Sequence, residues 1–100
     1  MHSEAVSSVE QLSYLLDDND GVVTTLANAS AYLNELLPGI NWVGFYLLEQ
    51  GELRLGPFQG KAACTRIAPG KGVCGAAVLQ NRTQRVADVH AFPGHIACDS

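Results

Sequence analysis

Three cysteines, Cys64, Cys74 and Cys98, and two histidines, His90 and His95, are the side chains of this sequence best suited to chemistry. Cys98 is the most suggestive of them. It lies in Asp88-Val89-His90-Ala91-Phe92-Pro93-Gly94-His95-Ile96-Ala97-Cys98-Asp99-Ser100, which has neither a strand alternation nor a helical period and reads as a loop. Phe92-Pro93-Gly94 gives that loop a stiff turn with an aromatic anchor. Cys98 follows the turn, next to the carboxylate of Asp99 and near two imidazoles. Reactive groups gather on loops that a rigid scaffold holds in place.

Three chemistries are open to such a set. Zinc could be held by His90, His95 and Cys98, with Cys64 as a fourth ligand, because these are soft and borderline donors. The spacings match no common zinc pattern and no C-x-x-C pair exists, so the expectation is no metal. The bland alternative makes all three cysteines small buried hydrophobes. That reading suits Cys74, placed inside a helix beside alanines, and suits Cys98 in a polar loop poorly. Redox thiol chemistry is the third. It needs one accessible thiolate of low pKa and a second thiol able to reach it.

Composition bounds the setting. One hundred residues with 47% apolar and 16% charged side chains fit one small folded domain rather than a disordered chain. A net charge of −4 argues against nucleic acid or an anionic membrane as the main partner. No apolar run approaches a membrane span. Met1-His2-Ser3-Glu4 lacks the basic start and apolar middle of a secretory signal, so the cytoplasm is the expected compartment. There, free, redox-active or metal-bound thiols are favoured over structural disulfides.

The elements that must position the cysteines follow from the pattern along the chain. Ser7-Ser8-Val9-Glu10 has the form of a capping box, and Val9, Leu12, Leu15 and Leu16 continue it at helical spacing. Asp20 can cap a second helix whose apolar stripe is Val22, Val23, Leu26, Ala29, Leu33 and Leu37, ended by Pro38-Gly39. Both helices read as core packing. Asn41 to Leu48 is β-rich and apolar on both faces, a covered central strand. Trp42, Gly44 and Tyr46 share one of those faces. They are either core or a pocket wall, Gly44 leaving a gap between the aromatics that a ligand could fill.

Glu49-Gln50-Gly51-Glu52 makes a hairpin turn into a second strand from Leu53 to Phe58, which Pro57 ends or places at an edge. Ala62 to Ile67 is a third strand with Cys64 and Arg66 on one face. Pro69-Gly70-Lys71-Gly72 leads to a short helix from Val73 to about Gln80 that carries Cys74; this turn is either plain or, at the helix N-terminus, an anion site. Asn81 suits the helix end, and Thr83 to Ala87 is a fourth strand leading into the cysteine loop. Hairpins without regular helical crossovers imply the α+β class, an antiparallel sheet with helices packed on both sides.

Four stretches then become familiar together: Asn41-Trp42-Val43-Gly44-Phe45-Tyr46, Gly56-Pro57-Phe58-Gln59-Gly60-Lys61, Gly72-Val73-Cys74-Gly75 and Asp88 to Asp99. They closely resemble the free methionine-(R)-sulfoxide reductases, single GAF-domain enzymes, from about Ala27 to Ser100 with all three cysteines in register. The N-terminal helices match only in character. The resemblance implies that Cys98 is the nucleophile and becomes a sulfenic acid as methionine leaves. It implies that Cys64 resolves that acid to a disulfide, that Cys74 is an accessory thiol, and that thioredoxin reduces the product without a bound cofactor. Trp42 and Tyr46 would wall the substrate's methyl and side chain, and backbone amides of Ile96 and Ala97, before Cys98, would hold its carboxylate. A homodimer is compatible with it. The family continues past this point with further strands and a C-terminal helix, which carry the acidic residues that bind the sulfoxide oxygen and the amine. The resemblance therefore implies a single partial GAF-like domain over 1–100, a poor catalyst alone. The competing function is a non-catalytic GAF-like module that binds a small molecule, which would not need three cysteines in this register.

Overall fold

A computed structural model of the chain describes Glu10, Ser13, residues 18–88, Ala91, Phe92 and Gly94. His90, His95, Ile96, Ala97 and Cys98 lie outside these residues, as does most of the first expected helix. A 3-10 turn, Asp18–Asp20, precedes helix α1, Val22–Leu36. Strands β1 (Trp42–Glu49), β2 (Glu52–Gly60) and β3 (Arg66–Ile67) follow, and then helix α2, Gly72–Gln80. The sheet has the order β1-β2-β3. This is an α+β arrangement of helices with an antiparallel sheet. It divides into two compact units, Met1–Phe45 with Gly56–Lys61, and Tyr46–Leu55 with Ala62–Ser100.

In the first unit, α1 begins at Gly21 rather than on an Asp20 cap. Gly21 takes φ 85° and ψ 168° and, having no side chain, makes no side-chain capping bond. Its carbonyl nevertheless accepts the Thr25 N–H at 3.1 Å, so the cap falls one residue after the aspartate and the helix proper starts at Val22. The middle of the expected stripe is the buried face of α1, with Leu26 and Leu33 half-buried beside it, but the start of the stripe is uncovered. Ala29 and Ser30 are buried, whereas Val22 and Val23 stand 61% and 70% exposed. Ser30 can sit fully buried because its hydroxyl reaches two acceptors, the Leu26 carbonyl at 2.8 Å and the Pro57 carbonyl at 3.1 Å. A buried hydroxyl without such partners would carry a desolvation cost of about 1–3 kcal/mol. The helix ends as expected before Pro38-Gly39, with Leu37 extended.

The β1–β2 turn uses Gln50 and Gly51 at φ 51° and 81°. Two positive φ values are what a two-residue type I′ turn requires, and such a turn matches the twist of the strands it joins. Of the two expectations for Pro57, the strand end fails: β2 runs through it to Gly60. The ladder explains this. β3 pairs antiparallel with β2 at Leu53↔Ile67 and Arg54↔Arg66, and the Leu55 N–H donates to the Thr65 carbonyl at 2.9 Å. Two residues further on, Pro57 turns its nitrogen to the same side, past the last β3 bond, where no donor is required.

In the second unit, Leu53 and Ile67, opposite one another in register, are buried with Ala76 of α2, and α2 packs against β3. Arg54 and Arg66, also directly opposite, would repel each other. Glu52 stands between them, 3.1 Å from Arg54 and 4.0 Å from Arg66. Gly75 lets α2 approach the preceding turn: a Cβ there would lie 2.6 Å from the Ala68 carbonyl oxygen. Asn81 closes α2 in the left-handed region, φ 52° and ψ 48°, as expected of a helix end.

Two expected strands are corrected. The third is only Arg66–Ile67, and 62–64 are irregular, so Cys64 precedes the strand rather than sharing a face with Arg66. Residues 83–87 form no strand. Their β-forming side chains do not suffice, because a strand exists only through a ladder partner, and none is present among the described residues.

Candidate functional site

Trp42 belongs to the first unit. Its ring stacks on Phe58 at a centroid distance of 5.4 Å and an interplanar angle of 16°, and its indole N–H donates to the Lys61 carbonyl at 3.1 Å. Gly44 lies against this stack. A Cβ at Gly44 would fall 2.3 Å from Phe58 Cβ and 2.8 Å from Trp42 Cη2. The gap that Gly44 was expected to leave for a ligand is therefore filled by the protein's own aromatic pair. Gly44→Ala should lower stability by about 1–3 kcal/mol through overpacking. Chemical denaturation should show this as a lower midpoint at unchanged slope, and an unshifted midpoint would mean that the stack is not packed as described.

Tyr46 and Cys64 belong to the second unit, and the fold brings them together. The Tyr46 hydroxyl donates to the Cys64 backbone carbonyl at 2.7 Å. This link was not legible in the sequence, since it joins residues 18 apart through a main-chain acceptor. Cys64 is disulfide-bonded and Cys74 is a free thiol.

Cys74 is exposed, which corrects its expected burial. The buried positions of α2 are Gly72, Gly75 and Ala76, and Cys74 falls on the other side of the helix. Partial burial of its surroundings nevertheless pushes the Cys74 thiol above its ordinary pKa by desolvation. The two facts concern different things. Exposure decides whether a reagent can reach the sulfur, and desolvation decides how much thiolate is present at neutral pH. An accessible thiol that is largely protonated suits secondary exchange better than a nucleophile's role.

The loop that contains the expected nucleophile is described at only a few points. The Ala91 N–H donates to the Asp88 carbonyl at 3.1 Å, and the Gly94 carbonyl accepts from the Gly72 N–H at 2.9 Å. The second bond occupies one of the donors at the start of α2, the place that an anion would otherwise take. Among the described residues, no group of three or more His, Cys, Asp or Glu side chains is placed to hold a metal ion. No helix among them is long and apolar enough to cross a membrane.

No family model matches the chain. It superposes with a TM-score of 0.89 on a protein of Burkholderia vietnamiensis assigned to the GAF sensors, at 51% identity, covering 94% of this chain and 60% of that one. The fold is that of a GAF domain. The chain is also 59% identical over 86 residues to the free methionine-R-sulfoxide reductase of Escherichia coli, covering 86% of this chain and 52% of that protein. The enzyme of the same description from Neisseria meningitidis, solved with its substrate, matches with a TM-score of 0.86 at 47% identity, over 93% of this chain and 56% of that one. The chain is thus closely similar to free methionine-R-sulfoxide reductases over most of its own length, and it spans a little over half the length of these relatives.

Proposed function

We infer that the protein reduces free methionine-(R)-sulfoxide to methionine by thiol chemistry. In this reading the Cys98 thiolate attacks the sulfoxide sulfur, methionine leaves, and Cys98 becomes a sulfenic acid. Cys64 condenses with it to a disulfide and releases water, Cys74 serves as an accessory thiol, and thioredoxin returns both cysteines to thiols. Trp42 and Tyr46 wall the substrate, backbone amides of Ile96 and Ala97 hold its carboxylate, and neither metal nor bound cofactor takes part. The cytoplasm as compartment and a homodimer belong to the same reading.

The observation that carries it is the state of the thiols within a chain so similar to these reductases. Cys64 is in a disulfide while Cys74 is free, as expected if Cys64 is the resolving thiol and Cys74 an accessory. The exposure of Cys74 and the upward push that desolvation gives its thiol pKa support the same division of roles. A non-catalytic binding module has no use for a disulfide at this cysteine.

The test is a steady-state assay with thioredoxin as reductant, offering the R and S forms of methionine sulfoxide, free and within a peptide. Turnover of the free R form alone is expected, because the substrate's own amine and carboxylate are bound. Comparable turnover of a peptide sulfoxide, or binding of the free form without turnover, would overturn the reading.

A further inference from the structure

The stretch before β3 has no regular structure over 62–64, so Cys64 is not fixed by a strand ladder of its own. Two hydrogen bonds hold its end. The Thr65 carbonyl accepts from Leu55 of β2 at 2.9 Å, and the Cys64 carbonyl accepts from the Tyr46 hydroxyl at 2.7 Å. The second is placed where it matters chemically. Fixing a carbonyl oxygen fixes the peptide plane that follows its own Cα, and hence ψ of that residue. The Cβ and sulfur of Cys64 hang from that same Cα. Tyr46 supplies the bond from β1, an eight-residue strand hydrogen-bonded to β2 within the sheet.

We propose that Tyr46 is a positioning residue for thiol exchange: its hydroxyl clamps the Cys64 carbonyl and thereby presents Cys64 Sγ to the sulfenic acid. The proposal rests on the reading above, in which Cys64 is the resolving thiol. The step it serves is balanced without an outside reagent. The Cys64 sulfur attacks the sulfenic sulfur of Cys98, an S–S bond forms, the S–O bond breaks, and the hydroxyl departs as water with the thiol proton. The Cys64 sulfur is oxidised and the sulfenic sulfur reduced. An intramolecular step of this kind depends steeply on orientation, and a displacement of about 1 Å can slow it about a hundredfold. The apolar ring of Tyr46 stays available to the substrate, since only the hydroxyl is committed to Cys64.

The experiment is a single turnover of the reduced protein with one equivalent of free methionine-(R)-sulfoxide and no thioredoxin. Methionine release times the first step. Loss of free thiols times disulfide closure, and dimedone traps any sulfenic acid that waits. In Tyr46→Phe the ratio of closure rate to release rate should fall at least tenfold, with trapped sulfenic acid at Cys98. Replacing Tyr46 by p-aminophenylalanine, which keeps a donor at the ring terminus, should restore most of that ratio. An unchanged ratio in Tyr46→Phe, or an equal loss in the p-aminophenylalanine variant, overturns the clamp. If the wild-type protein itself releases no methionine, the underlying functional reading fails and the clamp with it. That failure appears in the wild type, so the two are told apart.

Discussion

In a chain of its relatives' full length, Cys98→Ser should abolish reduction of free methionine-(R)-sulfoxide, with kcat/KM falling on the order of 10⁴-fold or more, as when a nucleophile is removed from other covalent catalysts. The cause is the availability of the nucleophile. A serine hydroxyl gives up its proton many pH units above neutrality, whereas a cysteine thiol titrates near 8.5 and is readily lowered by its surroundings. Sulfur also attacks sulfur well and can then carry the transferred oxygen as a sulfenic acid, which serine has no means to do. The variant should fold like the wild type, because Ser and Cys differ little in volume. Circular dichroism and a thermal melt should therefore match the wild type while the assay reads background. Wild-type rates from Cys98→Ser would move the nucleophile elsewhere, and Cys74, exposed on α2, would be the first residue to examine.

Cys64→Ser separates the two halves of the cycle. Without the resolving thiol the first step still runs, so one equivalent of methionine should be released and dimedone should label Cys98. The second round should then stall, with the multiple-turnover rate on thioredoxin falling by about a hundredfold or more, since a disulfide is the form that thiol–disulfide exchange acts on. In the wild type, peptide mapping after substrate treatment should recover a Cys64–Cys98 pair. Undiminished cycling by Cys64→Ser, or a map in which Cys74 alone is crosslinked, would reassign the roles of all three cysteines.

Much of the fold was legible because its signals were local. The helix ending before Pro38-Gly39, the Gln50-Gly51 turn and the Asn81 helix end each depend on a few adjacent residues with narrow backbone preferences. What failed depended on partners distant in sequence. Thr83 to Ala87 has strand composition and no ladder, and Pro57 stays within β2 because β3 ends before reaching it. Gly44 reads in the sequence as a gap open to a ligand, and only the fold shows that Phe58 and the Trp42 ring fill it. The site divides in the same way. The cysteine pattern and its family register are visible in the sequence. The exposure of Cys74 depends on which side of α2 is buried, and the Tyr46–Cys64 bond depends on the meeting of two distant segments.

Pro57 has a consequence for how the protein behaves among other copies of itself. An antiparallel strand offers an incoming chain alternating pairs of N–H and C=O groups, and an uncovered row of them invites strand addition. Beyond Leu55 the β3 side of β2 has no partner strand among the described residues, because β3 has already ended. At Pro57 that row has no donor to give, and its acceptor is already held by the Ser30 hydroxyl of α1 at 3.1 Å. A foreign strand would meet neither half of the pair it needs. The same proline that looked like a strand terminator leaves β2 long enough to carry Phe58 to Trp42, while closing that stretch to aggregation by edge pairing.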